Sequence, residues 1–233
     1  MDEPAKINEP PAKVLVGTLA IDRDHEQADR VFAGMQGLSR VCTWHLLVVT
    51  REQDAIVAAK WRRQGATVIT VPNYEIRKRH NLWKIAEKRN LVREHARSNA
   101  YDGLLFVDSD IVMTEGAVAD LFCCSQYADI VVAPYIIRWS NEYTVGVIVD
   151  GKLTLLDARQ LMERARYPRI LGGGLGCTLI HAKALDVPIV PVQLGSVAGL
   201  AGEDIGFFHQ VYSTRPDLVV RTTSWPFVVE HVI

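Results

Sequence analysis

What this 233-residue chain lacks narrows its function before any motif is read. It has only four cysteines, Cys42, Cys123, Cys124 and Cys177, with no Cys-x-x-Cys spacing and no companion histidine motif. Neither a zinc centre nor a disulfide framework is expected, and reduced thiols in a cytoplasmic setting are. Net charge is almost absent, -1 at pH 7, which argues against bulk attraction to nucleic acid or to anionic lipid. No apolar run approaches the roughly 20 residues that cross a bilayer, so no transmembrane segment is expected. The opening Met-Asp-Glu-Pro-Ala-Lys has neither the basic nor the apolar stretch of a signal peptide, so nothing is expected to export or anchor the chain. Internal repeats and low-complexity linkers are missing too. So are Gly-x-Gly-x-x-Gly after a first strand and any Gly-Lys-Ser or Gly-Lys-Thr, which removes the dinucleotide-binding and P-loop readings.

What is present is a globular composition, 48% hydrophobic and 23% charged, on a length that suits one domain. Residues 1–12 carry three prolines and read as a flexible N-terminal tail. From Lys13 onward apolar runs and helical periodicity alternate: strands over 14–19, 44–49 and 67–71, helices over 24–38, 55–61 and 81–97. This pattern predicts an α/β fold with a mainly parallel central sheet flanked by helices and joined by right-handed crossovers. After a helix over 115–123 and a strand over 130–133 the pattern loosens into a smaller mixed or antiparallel region. A hairpin turning at Asp150-Gly151 and a strand over 177–180 belong to it. A single domain over 13–233 is expected, with residues 13–112 forming a nucleotide-binding half and 113–233 an acceptor-binding half.

The most informative stretch is Leu104 to Ile111, where an apolar run following Tyr101-Asp102-Gly103 ends in Asp108-Ser109-Asp110. Such a run reads as a strand buried on both faces. Side chains two apart on extended backbone point the same way, so Asp108 and Asp110 can converge on one hard cation, Mg²⁺ or Mn²⁺, while Ser109 faces away. The crevice beyond strand ends is also where an open α/β sheet binds ligands. Asp and Ser equally favour turns, so the triplet needs support from elsewhere.

That support is spread along the chain. Arg89 falls in the middle of an apolar stripe made by Leu82, Ile85, Ala86, Val92 and Ala96, so it either snorkels to the surface or reaches a carboxylate or diphosphate, and Arg93 lies on nearly the same face. Gly172-Gly173-Gly174 and Gly176 let backbone approach a ligand closely, in a sugar-binding loop, or else make a tight turn. Glu203-Asp204 sits at an apparent helix start above Ile205, Phe208 and Tyr212 on a buried side. Acids there are favoured by the dipole alone, but a carboxylate near a substrate hydroxyl also serves as general base. His231 is structural, as a lone histidine on a strand more often is, or offers an imidazole nitrogen to a metal as a third member.

In this order, these features resemble a GT-A-fold, nucleotide-sugar-dependent glycosyltransferase of the Asp-x-Asp type, over nearly the whole span from Lys13 to His231. The resemblance implies a single GT-A (Rossmann-like) domain in which Asp110 ligates Mn²⁺ or Mg²⁺ on the donor diphosphate. Asp108 would contact the ribose or share the metal, and His231 would complete its shell. Thr18, Ala20 and Asp22 match the loop that holds base and ribose, Arg89 the arginine near the donor sugar, and Ser109, Gly173 and Gly174 line the donor. Asp204 matches the base of inverting relatives, or a substrate-orienting carboxylate in retaining ones, with Glu203 holding sugar hydroxyls. The donor expected is a UDP-sugar, with GDP the alternative, and the acceptor a hydroxyl of a glycan or another molecule. A family loop closing over the donor from beyond the histidine is absent, which leaves open whether the chain is part of a longer protein. Rival readings are a haloacid-dehalogenase-type phosphatase, a sugar-nucleotide pyrophosphorylase and a non-catalytic nucleotide-sugar-binding or scaffold protein. The phosphatase motif follows a first strand, and here about a hundred residues of β/α structure precede Asp108. The loop from Gly17 to Asp22 lacks the pyrophosphorylase signature of glycines with Arg and Lys.

Overall fold

The computed structural model describes residues 7–72, 81–136, 142–149, 152–163, 170–193, 200–224 and 229–232. The first part of the chain alternates as the apolar periodicity requires: β1 (Lys13–Leu19), α1 (Ala28–Met35), β2 (Thr43–Arg51), α2 (Ala55–Arg63), β3 (Thr67–Val71), α3 (Asn81–Ser98) and β4 (Gly103–Val107). Then follow β5 (Ile111–Val112), α4 (Glu115–Ser125), β6 (Ile130–Val132), β7 (Glu142–Val149), β8 (Lys152–Asp157) and α5 (Ala158–Met162). The last elements are β9 (Gly172–Gly173), β10 (Cys177–His181), β11 (Val192–Gln193), β12 (Leu200–Ala201), α6 (Glu203–Thr214), β13 (Val220–Thr222) and β14 (Glu230–His231).

Among the described residues, seven strands form the central sheet in the order β13-β6-β10-β4-β1-β2-β3. Every pairing is parallel except those of β10, which runs antiparallel to both β4 and β6. All five residues of β4 are buried, because each face of the sheet is covered. Leu104 and Phe106 pack with α3 and α6 through Val92, Ala96 and Phe207. Leu105 and Val107, one residue out of phase, pack with α1, α2 and α4 through Val31, Trp61 and Val118. Gly17 on β1 faces α3, and a Cβ there would run into Val92, so a glycine lets this helix lie close to the sheet.

Three local features differ from the expectation. The helix expected over 24–38 is shorter, because Asp22–Asp24 and Gln36–Arg40 wind as 3₁₀ turns on either side of α1. Backbone bonds from Asp24 to Ile21 and from His25 to Asp22 close the first of these before α1 begins. The leading segment is held down from Asn8 onward: its side-chain amide donates to Ala128 O at 3.1 Å and to Asp129 at 3.0 Å, and Pro11 is buried. Ile205 is exposed rather than buried beneath the acids of α6. The Asp150-Gly151 turn lies outside the described residues, while its arms β7 and β8 pair antiparallel as expected.

Candidate active site

The chain leaves β4 at Val107 and turns sharply. Asp108 N–H still donates to Gly176 O at 2.8 Å, continuing the pairing with the β10 side, and Ile111 N–H donates back to Asp108 O at 3.0 Å. Alternation then sends Asp108 to the α3 side and Ser109 to the opposite one, where its hydroxyl donates to Asp24 Oδ2 at 2.6 Å. Thr114 caps the next helix by accepting from Ala117 N–H, which anchors the far end of this turn.

Arg89 takes the second of the two readings open to it. It is 4% exposed, its Nη2 donates to Asp108 Oδ1 at 2.9 Å, its Nε donates to Glu203 Oε1 at 3.2 Å, and its guanidinium lies over the Phe106 ring. Burial works against the charge, but Asp108 and Glu203 outweigh it and hold the guanidinium protonated beyond its ordinary range. Its Nη1 has no hydrogen-bond partner among the described residues. Arg93, on nearly the same face, binds Leu185 O and Glu94 instead and stays away from the acids.

Asp110 and His231 meet because β14 pairs antiparallel with β5, His231 opposite Ile111, and Val232 N–H donates to Asp110 O. His231 Nε2 lies 3.2 Å from Asp110 Oδ2 and Nδ1 lies 3.2 Å from Ile136 O. A carbonyl can only accept, so Nδ1 carries a proton, and in the neutral ring Nε2 then turns a lone pair toward a carboxylate. Two acceptors facing each other need a proton, on the ring or on the carboxyl, or a cation bound to both. Burial, and then the charge of Asp108, raises the Asp110 carboxyl above its ordinary range. These donors fit a hard divalent ion that takes most of its ligands from elsewhere. Among the described residues no group of three or more His, Cys, Asp or Glu is spaced to cage a metal, and Asp108 is held by Arg89 rather than turned to Asp110 and His231.

α6 begins at Gly202, where a Cβ would run into the Asp204 carboxylate, and its first turn carries both acids. Glu203 is buried and its Oε1 accepts from Arg89, so its carboxylate is turned into the molecule. Asp204 is half-buried, and the backbone N–H of Ile205 donates to its Oδ1 at 2.7 Å. Burial, then the neighbouring charge of Glu203, pushes its carboxyl up to about 6.

The glycine run serves a residue that sequence reasoning missed. Gly172 and Gly173 pair with β7. A Cβ on Gly173 would meet Val132 and Thr144, while one on Gly174 or Gly176 would collide with the hydroxyl of Tyr135. Gly176 N–H donates to that hydroxyl at 3.3 Å, and the Tyr135 ring stands edge-on to His231 at 5.7 Å. Burial, then the charge of Asp108, holds the phenol well above its ordinary range. The signal available in the sequence was a polar aromatic just beyond the apolar run of β6. Asp24, bound to Ser109, was missed as well.

The loop after β1 sits otherwise than expected. Val16 and Ala20 pack on the α1 and α2 side, so Thr18 between them points there too, away from Asp108. Thr18 is 0% exposed, and its hydroxyl has no partner among the described residues. Asp22 accepts from Val57 N–H at 3.0 Å and donates its own N–H to Asp54, which ties this loop to the start of α2. A cavity of about 410 Å³ opens instead between the carboxyl ends of β2 and β3 and the middle of α3, lined by Arg51, Lys84, Glu87, Lys88, Leu91 and Glu94 among others. It contains none of Asp108, Asp110, Glu203 and Asp204. The Lys88 ammonium is pushed below its ordinary range by burial and then by Arg51.

No protein-family model matches the sequence, and neither does any curated protein. Solved structures do match. Staphylococcus aureus TarS superposes with a TM-score of 0.56 at 15% identity over 95% of this chain and 37% of its own. The glucosyl-3-phosphoglycerate synthase of Mycobacterium tuberculosis, solved with Mn²⁺, UDP and glucosyl-3-phosphoglycerate, has a TM-score of 0.56 at 12% identity, over 95% of this chain and 72% of its own. The mannosyltransferase PcManGT of Pyrobaculum calidifontis, solved with GDP-Man and Mn²⁺, has a TM-score of 0.56 at 12% identity over 99% and 61%. These likenesses establish the GT-A fold. The chain spans 37% of TarS and 61% of the mannosyltransferase, less than two thirds of either. No helix among the described residues is long and apolar enough to cross a membrane.

Proposed function

We propose that this chain is a metal-dependent glycosyltransferase that moves a sugar from a nucleotide-diphosphate sugar, a UDP-sugar before a GDP-sugar, to a hydroxyl of a glycan or other acceptor. One observation carries the reading. Asp110 and His231, 121 positions apart in sequence, face each other across 3.2 Å at the end of a parallel sheet, beside an arginine that joins Asp108 of β4 to Glu203 of α6. Residues 13–112 supply the donor side in this reading and residues 113–233 the acceptor side, within one domain. None of the four cysteines is in a disulfide, which suits a cytoplasmic enzyme.

Asp110 and His231 would hold Mn²⁺ or Mg²⁺, whose positive charge stabilises a departing diphosphate. Arg89 fixes Asp108 beside the donor. The nucleoside is assigned to the cavity lined by Arg51, Lys84 and Lys88, on the α3 side toward which Asp108 points. Asp204 takes the proton of the acceptor hydroxyl in an inverting transfer; a carboxyl poised near 6 is ionised at neutral pH yet basic enough to accept. Glu203 cannot share that task, because Arg89 holds its carboxylate. The Mn²⁺ and nucleotides present in the two neighbouring structures support the same donor chemistry.

Calorimetric titration of UDP, GDP and their sugars, with Mn²⁺ and with chelator, tests this directly. Binding of one nucleotide class is expected only with metal, and is expected to vanish in Asp110→Ala. No binding by the wild-type chain under any condition would remove the reading.

A further inference from the structure

Tyr135 has a place in the site that the proposed transfer has not yet used. Its hydroxyl accepts from Gly176 N–H, and no described bond takes its own proton. Two glycines, Gly174 and Gly176, are what give it room. The Cβ that Gly176 lacks would sit 2.5 Å from the phenol oxygen and 2.6 Å from Asp108 Oδ2, so those two oxygens lie no farther apart than the sum of these distances, about 5.1 Å, within the reach of one hydroxyl bonded to both. Thr144 fixes the backbone beneath: its N–H donates to Tyr135 O at 2.9 Å, and its hydroxyl accepts from Tyr135 N–H at 3.3 Å. The phenol is therefore anchored at both ends of the residue.

The bridging oxygen must accept from a neutral phenol and donate to a carboxylate. A phosphate oxygen does only the first and would be repelled by Asp108. A sugar hydroxyl does both. We propose that Tyr135 is a specificity-determining contact for the transferred sugar, its O–H donating to a sugar hydroxyl that in turn donates to Asp108. This rests on the nucleotide-sugar reading of the same site. It assigns the glycine run a purpose as well: the run seats the tyrosine that reads the sugar, and does not itself line it.

The test compares nucleoside diphosphates with nucleotide sugars. Wild-type protein and Tyr135→Phe are titrated, with Mn²⁺, against UDP, GDP, UDP-glucose, UDP-N-acetylglucosamine and GDP-mannose. Tyr135→Phe should keep the nucleoside-diphosphate Kd within twofold while weakening the bound nucleotide sugar about 3- to 10-fold, the loss of one neutral hydrogen bond. Gly174→Ala, which evicts the hydroxyl without touching Asp108, should give the same split, and thermal melting identifies a variant that has lost its fold. Equal weakening of both ligand types, or of neither, would overturn the assignment to the sugar. Absence of nucleotide binding by the wild type would instead remove the transferase reading, and this proposal with it.

Discussion

Asp108 with Asp110, and Glu203 with Asp204, are two acid pairs that look alike in sequence and are treated differently by the fold. In each, one member is bound to Arg89 and the other is not. Asp108 and Glu203 give their charge to a buried guanidinium. Asp110 has His231 for company and Asp204 only a backbone N–H, and both carboxyls are raised by burial. One arginine on α3 thus sorts four carboxylates into two that it binds and two that it leaves unbound. A motif of closely spaced acids does not say which member is which; the position of Arg89 does.

The sharpest way to break this division is at Asp204. Asp204→Asn keeps the shape and removes the proposed base, so transfer should fall by about 10²- to 10⁴-fold while donor affinity holds, as steady-state kinetics beside calorimetry would show. Normal turnover would move the base elsewhere. Arg89→Met attacks the other two acids: it leaves Asp108 and Glu203 without their shared partner, and denaturant unfolding should report a loss of about 3–5 kcal/mol. Arg89→Lys should recover only part of it, since an ammonium lacks the fork that reaches both carboxylates.

Titration gives a smaller effect with a definite sign. Asp204 must be ionised to accept a proton and its carboxyl is pushed up to about 6, so turnover should fall about tenfold per pH unit below that point. Stability should move the opposite way. A carboxyl raised in the folded chain above its ordinary 3.8 is protonated more readily there than in the unfolded one, so its ionisation costs stability as pH rises toward 6. Asp204→Asn should therefore be the more stable protein at neutral pH, with the advantage fading toward pH 4. A wild-type profile flat down to pH 4.5 would show that Asp204 is not the base.

Much of the fold was legible because apolar periodicity and turn residues agree along the first hundred residues; β3, for instance, spans the residues the pattern indicates. Arg89 was legible for the same reason, as a cation where the helix should be apolar. That His231 would meet Asp110 was legible only through resemblance, since its approach depends on β14 pairing with β5 far upstream. The purpose of the Gly172 to Gly176 run was not, because glycines announce room without saying what fills it. Tyr135 fills it.

The loop after β1 marks where resemblance and strand geometry part, and Thr18 is the place to separate them. Resemblance puts Thr18 beside the nucleotide, whereas the alternation along β1 turns it with Val16 and Ala20 toward α1 and α2, on the face opposite Asp108. Its hydroxyl is buried with no partner among the described residues, an arrangement that costs roughly 1–3 kcal/mol when water cannot reach it. Thr18→Val replaces that hydroxyl by a methyl of similar shape. Nucleotide affinity should stay within twofold and stability should hold or rise by about 1 kcal/mol, read by calorimetry and denaturant unfolding. A tenfold loss of nucleotide affinity in a fully folded variant would return the nucleoside to this loop and empty the cavity by Lys88. Unchanged affinity, beside a loss in Lys88→Ala, would place it on the α3 side, where Asp108 and Arg89 already point.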